Sequence, residues 1–196
     1  MKGALQSINH WLLKKRLTSD NYNFLFDDEP AGEVVVLDTE TTGLDPKKAS
    51  LLSIGAVKLQ EDTILLSERF ELLVKPTVKI DEKSITIHHL RHCDVENGVS
   101  ETEAVDAFVK FLGSAPLVGY YIDFDKQMID KVFRTMSGIP LPNRTIEISG
   151  LYYDYKIGRI PQGNVDLRFD SILDDLKLPR LGKHDALNDA IMTALI

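Results

Sequence analysis

The chain has little of several things that would point to particular classes of protein. Its 196 residues contain a single cysteine, Cys93, which excludes an internal disulfide and suits a reducing compartment. No apolar run approaches the roughly 20 residues that a membrane-spanning helix needs. The first residues lack the uninterrupted apolar core of a signal peptide, since Gln6, Ser7 and Asn9 interrupt it. We therefore expect a cytoplasmic protein with no membrane segment.

Basic residues are also scarce relative to acidic ones. The 23 Lys and Arg residues are outnumbered by 30 Asp and Glu residues, which gives a formal net charge of −7. This balance argues against tight gripping of long duplex nucleic acid, which needs a basic surface. It does not exclude action at a chain end, because acids clustered around metal ions are neutralised locally. The hydrophobic content of 43% is ordinary for one globular domain of this length.

The most informative segment lies at residues 34–43 and reads Val-Val-Val-Leu-Asp-Thr-Glu-Thr-Thr-Gly. Its apolar, β-branched run, followed by a turn at Gly43, predicts a buried strand. Because side chains alternate between the faces of a strand, Asp38 and Glu40 are expected on the same face near its end. Two close carboxylates repel one another unless a cation compensates, and Mg²⁺ or Mn²⁺ prefers such oxygen ligands. The alternative is that each acid caps a turn or pairs with a distant Lys or Arg.

The remaining pattern predicts hairpins first and strand–helix alternation afterwards, which implies a single α/β domain with a mixed sheet and helices packed on it. The predicted strands cover residues 51–59, 63–74, 116–121 and 145–149, and the predicted helices cover 4–17, 103–112, 124–136, 167–176 and 186–196. We expect the first helix, which is amphipathic, to pack on the domain. The helical spacing of apolar residues in the last helix continues up to Ile196. This leaves open whether the domain extends beyond Ile196.

A third acid, Asp125, lies at a position where burying a carboxylate costs free energy. In the helix after Tyr121, Asp125 lies within an apolar stripe that is expected to face the sheet near Asp38 and Glu40. A carboxylate on the core side of a helix must be paired, capped or metal-bound. The neighbouring Asp123 is expected on the opposite side, toward solvent or as a helix cap.

A fourth acid and a histidine lie near the end of the sequence, in His-Asp-Ala-Leu-Asn-Asp at residues 184–189. Asp185 has the residue type of a helix N-cap, so His184 is expected on the preceding loop and Asp189 inside the helix. The two are not neighbours on one helix face, but a loop and a helix can converge on one site.

Together these segments resemble the DEDD exonucleases, in the branch that carries a histidine. The motifs are Asp38-x-Glu40 followed by Thr-Thr-Gly, then Phe124-Asp125, and finally His184-x-Ala186-x-x-Asp189. This branch contains the proofreading subunit of bacterial DNA polymerase III and oligoribonuclease. The resemblance runs from about Val34 to the end and implies a ribonuclease H-like fold. We place the exonuclease domain at residues 31–196, behind an N-terminal helical extension over residues 1–30.

The resemblance also implies an activity and a set of site residues. The activity is 3′→5′ removal of nucleoside 5′-monophosphates with two divalent ions, Mg²⁺ or Mn²⁺. The residues that resemble the metal ligands are Asp38, Glu40, Asp125 and Asp189. His184 resembles the general base, and Glu40 also counts among the catalytic residues. The residues that resemble the pocket for the terminal nucleotide are Thr39, Thr41, Thr42, Ile87 and His88.

Before Phe124 the chain departs from the family, because Tyr120-Tyr121-Ile122 stands where many relatives have His-Asn-Ala. The two tyrosines either stack on bases, as in proteins that bind single strands, or are core residues at a strand end, which we favour. The departure bears on substrate preference more than on catalysis.

A zinc site at His88, His89, His92 and Cys93 is a competing interpretation. Adjacent histidines point apart in regular structure, and this spacing matches no common structural zinc pattern. We therefore disfavour zinc at this position.

The function that we expect is a metal-dependent 3′→5′ exonuclease on single-stranded nucleic acid, with DNA favoured. An RNA or short-oligonucleotide exonuclease of the oligoribonuclease type is one alternative. A catalytically weak module that binds nucleic-acid ends or assists a polymerase is another, which the presence of all five candidate residues disfavours. The expected partners are single-stranded DNA or RNA 3′ ends and a DNA polymerase or other replication protein.

Overall fold

The computed structural model describes residues 10–159, 164–182 and 184–196. In these ranges one mixed sheet has the strand order β3-β2-β1-β4-β5. The strands are β1 (Glu33–Thr41), β2 (Leu51–Gln60), β3 (Thr63–Leu73), β4 (Leu117–Gly119) and β5 (Thr145–Glu147). Strands β1, β2 and β3 pair antiparallel, whereas β4 pairs parallel with both β1 and β5. The predicted mixed sheet, with hairpins first and strand–helix alternation afterwards, is confirmed.

Helices flank this sheet, and most of them follow the predicted ranges. Residues 10–16 are helical (α1), and a 3₁₀-helix follows at Asp20–Phe26. The others are α2 (Glu82–His88), α3 (His92–Val95), α4 (Glu101–Leu112), α5 (Ile122–Ser137), α6 (Ile148–Arg159), α7 (Phe169–Leu176) and α8 (Ala186–Ala194). The part of the first predicted helix over residues 4–9 lies outside the described residues.

Three helices were not predicted: α2, α3 and α6. Helices α2 and α3 are only 7 and 4 residues long, too short for a period of 3.6 residues to stand out. Helix α6 begins directly after β5, so the predicted strand over residues 145–149 runs into the helix. Sequence patterns place such boundaries poorly when no turn separates the elements.

The two faces of β1 are covered by different helices. Val35 and Leu37 belong to the larger core cluster, which includes Phe108 of α4 and Phe133 of α5. Val36 belongs to a second cluster on the other face, against which Ile191 of α8 packs. The central strand is therefore buried from both sides, and its end is the point that α5 and α8 both approach.

The N-terminal elements pack on the same domain. Tyr22 and Leu25 of the 3₁₀-helix are buried in the larger core cluster, and Leu13 of α1 packs against it. This agrees with the expectation that the first helix packs on the domain. Among the described residues, no helix combines the length and the apolar character that crossing a membrane requires.

Candidate active site

The end of β1 carries the first two carboxylates. Asp38 pairs with Gly55 of β2 and Glu40 pairs with Ser53, and the alternation of β1 directs both acids to the face that α8 covers. Glu40 is 9% exposed although it carries a carboxylate. A buried acid of this kind needs a compensating partner.

Helix α5 brings a third carboxylate to β1 from the opposite face. Asp125 is 4% exposed, and its Oδ1 accepts a hydrogen bond of 2.6 Å from the hydroxyl of Thr39. The predicted apolar stripe is present, since Met128 and Phe133 are buried on the same helix. Because Thr39 points away from the face of Asp38, the acids surround the strand end from both sides.

The start of α5 differs from the prediction. Its N-cap is Tyr121, with φ 57° in the left-handed region, and Asp123 is an exposed residue of the first turn. The solvent-facing placement of Asp123 is therefore confirmed, and its alternative role as the helix cap is wrong. Tyr120 is partly buried against the second core cluster, whereas Tyr121 is 67% exposed. The core interpretation thus holds for Tyr120 only.

Helix α8 and the loop before it supply the fourth acid and the histidine. Asp185 is the N-cap, and its side chain accepts the Asn188 N–H at 3.0 Å, as predicted. The backbone N–H of His184 donates to Asp189 Oδ2 at 3.2 Å. One ligand atom from each of Glu40, His184 and Asp189 lies within 4.8 Å of the other two, which is close enough to hold a metal ion.

Gly55 allows α8 to come this close to the sheet. A Cβ atom at Gly55 would lie 2.2 Å from the carbonyl carbon of Ala186 and 2.2 Å from the backbone nitrogen of Leu187. Both contacts are with backbone, so no side chain can move aside to relieve them. Because Gly55 is paired with Asp38, its missing side chain leaves the space in which the first turn of α8 lies beside the acids.

Burial and the charges of neighbouring acids raise the pKa of the carboxylates at this site. Burial raises the pKa of Glu40 from 4.5 to about 8, and the charge of Asp189 is the next cause. Burial also raises the pKa of Asp125 from 3.8 to about 7, although the hydrogen bond from Thr39 opposes this. The pKa of Asp38 is raised well above 3.8 by burial and by the charge of Asp125. Such a set of oxygen donors fits hard divalent ions, whose charge compensates the carboxylates.

A fifth acid at the site was missed by the sequence interpretation. Glu147 ends β5, and its Oε2 accepts the N–H of Ile122 at 3.1 Å, while its Oε1 accepts the hydroxyl of Ser149 at 2.7 Å. Its charge also raises the pKa of Asp125. The only sequence signal was an acid within the predicted strand over residues 145–149, in a chain of the α/β class, whose ligands bind at the carboxyl ends of strands.

The hydroxyls of the three threonines on β1 and after it are bonded within the protein. The Thr39 hydroxyl donates to Asp125, the Thr41 hydroxyl donates to the Gly43 carbonyl at 2.8 Å, and the Thr42 hydroxyl accepts the Ser50 N–H at 2.9 Å. Their role in binding substrate stays a prediction. Thr39 does border a cavity of about 540 Å³ beside Asp38 and Asp125.

The Ile87-His88 segment ends α2. Ile87 is 45% exposed, whereas His88 is buried and borders a cavity of about 230 Å³ together with His184. The Nδ1 of His88 accepts the Leu90 N–H at 3.0 Å, which leaves the proton on Nε2. Within the described residues Nε2 has no hydrogen-bond partner. Burial lowers the pKa of His88, which favours the neutral form of its ring.

The alternative zinc site does not form in the described part of the chain. His88 faces the cavity with His184, while the Nε2 of His92 accepts the Ile80 N–H at 3.4 Å and Cys93 is exposed. The one cluster of metal-ligating side chains found there is that of Glu40, His184 and Asp189.

The chain is similar to known exonucleases and to DNA polymerase III proteins. The sequence pattern of the exonuclease family typified by RNase T matches residues 35–196. A PolC-type DNA polymerase III of Thermotoga maritima is 31% identical over 177 residues, which are 88% of this chain but 12% of that protein. The DNA polymerase III subunit epsilon of Aquifex aeolicus is 25% identical over 166 residues, covering 84% of this chain and 78% of the subunit.

Solved structures of exonuclease I have the same fold. One matches with a TM-score of 0.72 at 14% identity, over 83% of this chain and 39% of that chain. A complex of Escherichia coli exonuclease I with a dT13 oligonucleotide matches with a TM-score of 0.71 over the same shares of the two chains. The predicted ribonuclease H-like fold is confirmed, and with the family match over residues 35–196 the chain belongs to the RNase T exonuclease family, which is of the DEDD type.

Proposed function

We propose that this protein is a 3′→5′ exonuclease that releases nucleoside 5′-monophosphates from the 3′ end of single-stranded nucleic acid, with DNA favoured. The observation that carries the proposal is the convergence of Glu40, Asp189 and His184 at the end of β1, with Asp38 and Asp125 beside them. Such a site combines metal ligands with a candidate base, which phosphodiester hydrolysis requires.

Two findings favour DNA over RNA as the substrate: the names of the relatives, and a solved complex of a protein with the same fold. The PolC-type and epsilon relatives are DNA polymerase III proteins, and exonuclease I has been solved with a dT13 oligonucleotide. A DNA polymerase is accordingly the proposed partner, and the cytoplasm the proposed location. This chain matches 12% of the PolC-type protein, so no polymerase activity is proposed for it.

In the proposed reaction, Asp38, Glu40, Asp125 and Asp189 would hold two Mg²⁺ or Mn²⁺ ions. When bound, such ions would lower the pKa of a water molecule and stabilise the charge that develops on the phosphate. His184 accepts the proton of the attacking water. The water oxygen bonds to phosphorus, the bond to the O3′ of the preceding nucleotide breaks, and O3′ takes up a proton from solvent, so that the shortened strand ends in a 3′ hydroxyl.

The remaining polar groups hold these residues in place. Thr39 fixes the Asp125 carboxylate by its hydrogen bond, and the N–H of His184 does the same for Asp189. His88, which borders the same cavity as His184, is suited to contact the terminal nucleotide.

The test is a time course with 5′-labelled single-stranded DNA and RNA of the same sequence, in Mg²⁺, in Mn²⁺ and in excess EDTA. A ladder that descends from full length supports 3′→5′ hydrolysis, and the faster of the two substrates identifies the preferred sugar. We expect the DNA to be faster and EDTA to abolish both reactions. Full activity in EDTA, or release of the labelled 5′ nucleotide first, contradicts the proposal. Binding of 3′ ends without turnover supports the end-binding alternative instead.

A further inference from the structure

A large cavity beside the catalytic acids has one aromatic side chain at its exposed rim. The cavity has a volume of about 540 Å³, which is in the range of small-ligand sites. Its lining includes the acids Asp38 and Asp125 and the aromatic residues Tyr120, Tyr121 and Phe124. Tyr121 is 67% exposed, so most of its ring is free to contact a ligand.

The backbone of Tyr121 is held in an unfavourable conformation. Its φ is 57°, in the left-handed region that bulky side chains rarely adopt. Tyr121 is the N-cap of α5, yet its side chain makes no capping hydrogen bond within the described residues. Asn, Ser or Asp would cap this helix better. Strained residues of this kind persist where the surrounding structure fixes them, and they cluster at functional sites.

The ring of Tyr121 is supported from behind by an anchored aromatic pair. Its centroid lies 4.6 Å from that of Tyr120, in an edge-to-face arrangement. The Tyr120 hydroxyl donates to the Leu167 carbonyl at 2.9 Å, and the Tyr120 ring lies 5.0 Å from that of Phe169. Phe169 of α7 and the Leu167 carbonyl just before this helix thus fix Tyr120, which in turn restricts the orientation of Tyr121 before any ligand binds.

We propose that Tyr121 is a specificity-determining residue, whose ring stacks on the base of the 3′-terminal nucleotide while its phosphate lies among the acids. The inference rests on the proposed function and names the part of the substrate that this side chain recognises. Every base has a π-face, so stacking accepts any base but requires that one be present and not already stacked in a duplex. The enzyme therefore distinguishes a terminal nucleotide with a base from an abasic one.

The kinetic test uses two single-stranded DNA substrates that differ only at the 3′ terminus, which carries either thymidine or a tetrahydrofuran abasic residue. The wild-type enzyme should prefer the thymidine substrate by about tenfold in kcat/KM, mainly through KM. Tyr121→Phe keeps the ring and should keep the preference. Tyr121→Asn tolerates the left-handed backbone and caps a helix, so it should fold, and its preference should fall to about one.

The matched control is Tyr153→Asn, because Tyr153 is an exposed tyrosine of α6 that does not line this cavity. It should keep the tenfold preference. A wild-type enzyme that cleaves both substrates equally well, or a Tyr121→Asn variant that keeps the preference, overturns the inference while the exonuclease function stands.

Binding gives a second readout that does not depend on hydrolysis. A single-stranded oligonucleotide with 3′-terminal 2-aminopurine is added in Ca²⁺, and dye anisotropy at its 5′ end reports whether it is bound. Stacking on Tyr121 should quench 2-aminopurine in wild type and in Tyr121→Phe, and not in Tyr121→Asn. Equal quenching in all three variants overturns the inference. Quenching without turnover in Mn²⁺ supports the stacking and contradicts the proposed function.

Discussion

Two histidines share a backbone conformation but differ in their surroundings. His184 and His89 both have φ 59°, and only His184 lies with Glu40 and Asp189. Replacement by Asn keeps a residue that tolerates this backbone and removes a base. We expect His184→Asn to lower kcat by about 100-fold, because general-base catalysis typically contributes that much. His89→Asn is the control and should stay near the wild-type rate. A His184→Asn enzyme of normal activity would remove this histidine from the mechanism.

The buried carboxyl of Glu40 makes stability depend on pH when no metal ion is bound. A carboxyl whose pKa is raised on folding binds its proton more tightly in the folded state, so the stabilisation is present at low pH. It is lost as the pH rises from 4.5 through about 8. We expect the Tm of the metal-free protein to fall by roughly 5 °C more between pH 5 and pH 9 than that of Glu40→Gln.

The control for this comparison is Glu96→Gln, since Glu96 is exposed on the surface. Its Tm should follow the wild-type profile. Addition of Mg²⁺ should raise the wild-type Tm more at pH 9 than at pH 5, because the ion replaces the proton as the compensating charge. If wild type and Glu40→Gln show the same dependence of Tm on pH, the pKa of Glu40 is not raised by burial and by the neighbouring acids.

At the scale of secondary structure, the site depends on the approach of α8 to β2. A Cβ at position 55 lies within 2.2 Å of the α8 backbone, so Gly55→Ala must displace the first turn of that helix. Because a displacement of about 1 Å can cost 100-fold in rate, we expect kcat to fall by about that factor. The Tm should fall as well, since the second core cluster is packed under α8.

The control at this scale is Gly150→Ala in α6, where an added Cβ meets nothing within 4 Å. Ala favours a helix over Gly by up to about 1 kcal/mol, so this variant should be slightly more stable and equally active. Normal turnover by Gly55→Ala would mean that α8 adjusts without moving Asp189 or His184.

At the scale of the whole molecule, the net charge of −7 bears on how nucleic acid is bound. End-directed binding involves few phosphates, and each contact with a single strand adds about 0.7 to the salt slope. We expect the affinity for single-stranded DNA in Ca²⁺ to fall with a log–log slope of about −1 to −2 between 50 and 200 mM salt. Fluorescence anisotropy measures this slope. A slope near −7 would require about ten phosphate contacts and would contradict end-directed binding.

The sequence by itself determined the relations that follow from local periodicity. Alternation along a strand put Asp38 and Glu40 on one face, the helical period put Asp125 on a buried stripe, and residue type made Asp185 the cap of α8. Each of these relations joins residues within a few positions of one another. The hairpins and the mixed sheet were also predictable, because turns and apolar runs are local signals.

Only the tertiary structure decided how these elements meet. Helices α5 and α8 reach the end of β1 from opposite faces, Gly55 lets α8 approach the sheet, and β5 brings in Glu147. These contacts join segments that are far apart along the chain, and no local period encodes such a pairing. The shift in the pKa of Glu40 to about 8 follows from the same cause, because burial and the charge of Asp189 arise only when the elements have packed together.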